Sequence, residues 1–220
     1  MKVLLAQTKG GVGKTTLAVN IAVERSRQGR DVLLVDADEQ ATALDFTALR
    51  AEHLGTAGYT AIPLLYDHAR KHDTLREQVP RMVPKYQDII VDAGGRDTKS
   101  LRSAMTLVDV AVIPFQPRSF DIWTLNTVAE LIEQAREANP KLRAVAVLNL
   151  ADPAGGDNEA AAAALREVSG IDFLEISIGR RKAFSNGAAE GRGVCELKRQ
   201  DPKACAEIDA LIAAIFPPKE

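Results

Sequence analysis

The run Lys9-Gly10-Gly11-Val12-Gly13-Lys14-Thr15-Thr16 constrains this chain more than any other feature, because it joins an apolar stretch at 3–6 to a stretch of helical spacing. A strand, a glycine-rich turn and then Gly-Lys-Thr at a helix start is the arrangement in which successive backbone N–H groups converge on phosphate oxygens. In it Lys14 reaches the β- and γ-phosphates and the Thr15 hydroxyl ligates Mg²⁺, while the helix dipole adds to the attraction. Such a turn sits at the carboxyl edge of a parallel sheet, which fixes the fold class before anything else is read.

The rest of the chain agrees. Short β-branched or Leu-rich runs recur at 3–6, 32–35, 89–91, 110–113 and 142–148, and helical spacing follows at 14–28, 98–107, 121–138, 158–168 and 202–215. Strands this apolar, with little polar alternation, are covered by helices on both faces. The expectation is therefore α/β, a single doubly wound and mostly parallel sheet flanked by helices, with residues 1–220 as one domain. Gly29 and Pro140 supply helix stops, and Asp121 and Asp157 are candidate N-caps.

Cys195 and Cys205 have no partner at ligand spacing, which predicts a reduced, cytoplasmic chain rather than a disulfide or metal framework. The apolar start halts at Gln7, too soon for a signal peptide, and no run is long enough to span a bilayer. His53, His68, His72 and Trp123 match no site pattern.

Two acidic strand ends accompany the loop. In Val35-Asp36-Ala37-Asp38-Glu39-Gln40 the two aspartates lie two apart, so in an extended chain both face the same way and can serve one cluster of metal and water. In Ile89-Ile90-Val91-Asp92-Ala93-Gly94-Gly95 an acid closes a fully apolar strand, the placement that holds Mg²⁺ through water, and the Gly95 amide is placed to sense a γ-phosphate.

The position of the usual first glycine is Thr8, and Lys9 adds a second lysine where one nucleotide needs only one. This Lys-Gly-Gly-x-Gly-Lys-Thr-Thr run closely resembles the deviant Walker A box of the ParA/MinD ATPases. The resemblance implies an ATP- and Mg²⁺-dependent homodimer in which Lys9 crosses to the partner's ATP while Lys14 acts in cis. It implies a nucleotide contact from Lys9, Gly10, Gly11, Val12, Gly13, Lys14, Thr15, Thr16 and Gly95, a metal shell of Thr15, Asp36 and Asp92, and an attacking water positioned by Asp38. Glu39 stands where the family usually has proline, and Ala93-Gly94 is a modest departure from its Asp-Thr-Pro/Ala-Gly. The loop Pro114-Phe115-Gln116-Pro117 and Asn149 are similar to the family's base-proximal loop and adenine-reading asparagine.

Phosphoryl transfer of this kind stays slow until a partner supplies charge, worth roughly 10³–10⁵ in rate. The resemblance thus implies a weak ATPase that positions or segregates a cargo, bound to double-stranded DNA without sequence preference and stimulated by a ParB-like or adaptor protein. With a net charge of −2, DNA contact needs a local patch. Between 180 and 203 the chain offers Arg180, Arg181, Lys182, Arg192, Lys198, Arg199 and Lys203 against Glu190, Glu196 and Asp201, a local excess of four. Since Met1 opens the first strand, the chain resembles the short ParA forms without an N-terminal helix-turn-helix, and a cytoplasmic, nucleoid-associated location is expected. Two alternatives stay open: a MinD-like membrane switch, disfavoured by the acidic character of 207–216, and a ligase-type metabolic enzyme of the same superfamily.

Overall fold

The structure, a computed structural model, describes residues 1–67, 72–95, 98–117, 119–153 and 156–217, apart from the side chains at 66, 67, 72 and 119–123. In chain order the elements are β1 (Lys2–Leu5), α1 (Lys14–Arg27), β2 (Val32–Ala37), α2 (Thr42–Leu54), β3 (Thr60–Pro63), β4 (Tyr66–Asp67), β5 (His72–Asp73), α3 (Thr74–Met82) and β6 (Asp88–Ala93). Then come α4 (Lys99–Met105), β7 (Val110–Phe115), α5 (Ser119–Ala138), β8 (Arg143–Ala151), α6 (Asp157–Arg166), β9 (Asp172–Gly179), α7 (Lys182–Glu190), a 3₁₀ turn at Val194–Glu196 and α8 (Pro202–Ile215).

Seven strands form one sheet in the order β3-β2-β6-β1-β7-β8-β9, every neighbouring pair parallel, while β4 and β5 pair antiparallel apart from it. The sequences VLLVDA, DIIVDA and VAVIPF of β2, β6 and β7 are buried at every position, as strands with helices on both faces must be. One apolar layer packs α3, α4, α5 and α6 through Leu75, Leu101, Leu131 and Leu165. The opposite layer packs α1, α2, α7 and α8 through Ile21, Phe46, Phe184 and Leu211. The chain reverses direction across the sheet around β1, so the carboxyl ends of β1, β2 and β6 open onto one crevice, where ligands of such sheets bind.

Several elements differ from the sequence expectation for identifiable reasons. The edge strands β3 and β9 have mixed exposed and half-buried positions, which erases the apolar run that marks the central strands. Helix α3 carries Pro80 and α7 carries Gly187, both of which weaken a helical pattern. Asp157 is the first residue of α6, whose N-cap is Gly156. Helix α5 starts at Ser119, ahead of Asp121, whose side chain lies outside the described residues, as do His68 and the side chains of His72 and Trp123.

The cysteines correct the sequence reading: Cys195 and Cys205 form a disulfide, their Cα atoms 5.3 Å apart. The 3₁₀ turn and the first turn of α8 fold back on each other, which brings together residues whose spacing gave no hint of it. The amphipathic tail is core, with Ile208, Leu211, Ile212 and Ile215 of α8 buried. Among the described residues no helix is long and apolar enough to cross a membrane.

Candidate active site

The glycine-rich turn keeps its shape through left-handed backbone at Gly11 (φ 75°) and Gly13 (φ 86°), the latter capping α1. Side chains there would be strained, so glycine is favoured by conformation at both positions and, at Gly13, also by the close approach of Asn149. Lys14 follows at the helix start, 7% exposed, with Nζ donating to the Lys9 carbonyl at 3.1 Å. Burial pushes its ammonium pKa down, while the charges of Asp92 and Asp38 pull it up. The result is a lysine held inside the loop with its charge aimed at a site lined by acids.

Register brings those acids together: Asp36 on β2 stands directly opposite Asp92 on β6, and Leu5 of β1 stands opposite Asp92 on the other side. Their environments differ sharply. Asp36 accepts from the amides of Asp38 (3.1 Å), Ala43 (3.0 Å) and Leu44 (3.1 Å), so its carboxylate caps the start of α2. Burial nonetheless raises its pKa. The alanine at 41, just before α2, has φ 54°, a left-handed conformation that costs a non-glycine residue about 1–2 kcal/mol. The capping bonds from Asp36 hold it there.

Asp92 is 1% exposed, and neither carboxylate oxygen has a hydrogen-bond partner among the described residues. Burial pushes its pKa up to about 7, reinforced by Asp36 and Asp38. The Thr15 hydroxyl and Lys14 act in the opposite direction, the hydroxyl lying near without completing a well-formed bond. An acid left unpaired beneath the loop is what a site for a divalent cation looks like when described without it, since a buried charge otherwise finds a partner. Asp92 and Thr15 therefore fit the Mg²⁺ role.

The glycines after β6 close the crevice. A Cβ at Gly95 would lie 2.8 Å from the Gly10 Cα and 3.2 Å from Lys14 Nζ, and one at Gly94 would touch the Asp38 carboxylate at 3.4 Å. Asp38 is half-buried and accepts from the Gln40 amide at 3.1 Å. The structure thus gathers Lys9 to Thr16, Asp36, Asp38, Asp92 and Gly95 at one end of the sheet.

Three side-chain amides surround the loop, of which Gln116 and Asn149 were expected near the base and Gln7 carried no sequence signal beyond being a polar residue next to an apolar strand. Gln7 is fully buried, accepts from the Thr8 amide at 2.8 Å and reaches the Pro114 carbonyl. Gln116 donates to the Gly11 carbonyl at 3.1 Å, and Asn149 donates to the Val12 carbonyl at 2.7 Å. Asn149 is 3% exposed and braces the loop in this structure, a placement that the adenine-reading expectation did not anticipate.

Among the described residues, three members of the basic cluster have acidic neighbours and four do not. Arg180 faces Asp152 at 3.7 Å, Arg181 is tied to Glu207 (Nε to Oε2, 3.1 Å) and Asp201 (3.8 Å), and Arg192 faces Glu190 at 3.5 Å. Two of these acids, Asp152 and Glu207, lie outside the cluster in sequence, and the other two, Asp201 and Glu190, lie within it. Lys182, Lys198, Arg199 and Lys203 are exposed, with no carboxylate at ion-pairing distance among the described residues. Next to them Arg50, 6% exposed on α2, donates to Glu196 at 2.8 Å and to the carbonyls of Gly191 and Ala57.

Residues 3–194 match the family model of the CobQ/CobB/MinD/ParA nucleotide binding domain. The maintenance of carboxysome distribution protein A of Halothiobacillus neapolitanus is 31% identical over 218 residues, covering 97% of this chain and 95% of that protein. The chromosome-partitioning ATPase Soj of Thermus thermophilus is 28% identical over 170 residues, 67% of this chain and 68% of its own. Among solved structures, apo McdA of Cyanothece is similar with a TM-score of 0.80 at 18% identity, covering 97% of this chain and 98% of that one. An AMPPNP-bound plasmid partition protein of Borrelia burgdorferi is similar at 0.75 and 19% identity, covering 98% and 97%. At these identities the two structures speak for the fold.

Proposed function

The chain belongs to the CobQ/CobB/MinD/ParA family of nucleotide-binding domains, and from that premise we propose that it is a Mg²⁺-dependent ATPase whose ATP-bound dimer positions a cargo on DNA. The observation that carries the ATPase reading is the convergence beneath one loop of a buried lysine, an unpaired buried aspartate and a glycine in near contact with the loop backbone. In this reading Lys14 and the loop amides hold the phosphates, and Thr15 and Asp92 hold Mg²⁺, which neutralises phosphate charge when bound. Asp36 keeps α2 and the Asp38 loop in register, Asp38 orients the attacking water, and Lys9 completes the site of the partner subunit.

Cargo positioning is supported by the likeness to the carboxysome distribution protein, which runs nearly the full length of both chains. That favours a large protein assembly as cargo, with an adaptor protein that stimulates hydrolysis. Lys9→Ala tests the dimer: it should bind ATP as a monomer, whereas wild type and Asp38→Ala should elute as ATP-dependent dimers. A Lys9→Ala protein that dimerises and hydrolyses ATP at the wild-type rate removes the trans-acting lysine and leaves the loop assignment intact.

DNA retention is assigned to Lys182, Lys198, Arg199 and Lys203. Reversing these four to Glu should abolish binding to arbitrary duplex DNA at moderate salt, because each lost phosphate contact removes nearly one unit of the log–log salt slope. ATP affinity should be unchanged. Arg181→Glu should instead lower stability, since it strands Glu207 and Asp201. Retention that survives the fourfold reversal refutes this surface.

A further inference from the structure

The loop that presents the phosphate donors is clamped from outside by two side-chain amides at neighbouring strand ends. Gln116, just past β7, donates Nε2 to the Gly11 carbonyl at 3.1 Å, and Asn149 of β8 donates Nδ2 to the Val12 carbonyl at 2.7 Å. A peptide unit is planar and trans, so its C=O and N–H point in opposite directions. Holding the carbonyls of Gly11 and Val12 outward therefore holds the N–H groups of Val12 and Gly13 inward, toward the hollow of the loop. A turn with left-handed glycines at 11 and 13 has unusual backbone freedom to lose, and without an external hold those amides would sample many directions.

We infer that Asn149 and Gln116 are positioning residues for phosphate binding, which aim the Val12 and Gly13 amides before nucleotide arrives. The fit at Asn149 is close: a Cβ on Gly13 would lie 2.3 Å from its Nδ2, so the amide occupies the space that the missing side chain leaves. Its burial at 3% exposure leaves the side chain facing the loop. Pre-aimed donors bind more tightly than donors that must be ordered on binding, so the clamp acts on phosphate affinity and is indifferent to the base. This inference rests on the reading of the loop as an ATP site.

The test compares Mg²⁺-ATP with Mg²⁺ and inorganic tripolyphosphate, which carries the phosphates and no base, by titration calorimetry on Asn149→Ala and Gln116→Ala. Both ligands should weaken in parallel, about tenfold for the buried Asn149 and about threefold for the more exposed Gln116, in line with the loss of one hydrogen bond. In ¹⁵N-labelled wild type the Val12 and Gly13 amide signals should shift on adding tripolyphosphate. In Gln116→Ala most of that shift should be lost while the melting temperature stays at the wild-type value, a signature that mere destabilisation does not produce. Loss of ATP affinity with tripolyphosphate affinity intact would make Asn149 a base reader and overturn the inference, as would unchanged affinity for both. Wild type that binds neither ligand would overturn the ATP reading as well. If Asn149→Ala does not fold, Gln116→Ala decides the matter alone, through its parallel affinities and its amide shifts.

Discussion

Replacing Asp92 by asparagine should stabilise the nucleotide-free protein while it abolishes ATP hydrolysis. Among the described residues Asp92 is buried with neither oxygen paired, and burial pushes its pKa up from the ordinary 3.8 to about 7. A carboxyl whose folded pKa is raised binds more protons folded than unfolded. Its contribution is favourable below about pH 4 and is lost as pH rises toward 7. Above that the ionised group costs on the order of 4 kcal/mol, at about 1.4 kcal/mol for each pKa unit. Asparagine removes the charge but leaves an amide to be satisfied, so the net gain at pH 8 should be roughly 1–2 kcal/mol, or about 2–8 °C in melting temperature for a chain of this size. At pH 4 the variant and wild type should melt together. Thermal scans across pH 4–8 check this. A variant less stable than wild type at pH 8 would mean that Asp92 has a partner after all. Adding Mg²⁺ and nucleotide should narrow the gap from the other side, by stabilising wild type alone.

Gly95→Ala should reduce ATPase turnover about a hundredfold, the loss expected when catalytic groups are displaced by about 1 Å. The new methyl meets backbone, at 2.8 Å from the Gly10 Cα and 3.0 Å from the Gly10 nitrogen, and it also crowds Lys14 Nζ at 3.2 Å. Backbone cannot rotate out of the way as a side-chain end can, so either the phosphate loop or the end of β6 must shift. Overpacking of this kind costs about 1–3 kcal/mol in stability as well. Gly94→Ala is the control: its methyl meets only the Asp38 carboxylate at 3.4 Å, an ordinary contact. Single-turnover hydrolysis of both variants separates the two positions, and turnover within twofold of wild type in Gly95→Ala would show that the loop has room the structure does not contain.

The central frame was readable from the chain because its signals are local. The apolar runs of β2, β6 and β7 report strands buried on both faces, and the loop from Lys9 to Thr16 names its own chemistry in eight residues. Asp92 was legible for the same reason, as an acid that closes an apolar strand. What escaped depends on contacts between distant parts of the chain. Gln116 and Asn149 were expected near the nucleotide base, but their hydrogen bonds to a loop more than a hundred residues earlier have no local signal. The acidic neighbours of Arg180 and Arg181, Asp152 and Glu207, lie outside the stretch in which the cations were counted and are brought in only by folding. The pairing of Cys195 with Cys205 likewise needs the turn between them to fold back. Helix α2 was missed because its N-cap, Ala41, has no polar side-chain atom to mark the start, and the capping acid is Asp36 on the preceding strand.

That helix is held at two places. Asp36 grips its first turn, and farther along Arg50 is bolted to Glu196, Gly191 and Ala57. The backbone of Gly191 lies so close that a Cβ there would come within 2.5 Å of the Arg50 nitrogen. Helix α2 is thirteen residues long, about 20 Å, with one attachment to Asp36 at its start and the other, through Arg50, to the segment at 191–196. The acidic loop and the segment at 191–196 are therefore neighbours of one and the same helix, although most of the chain runs between them.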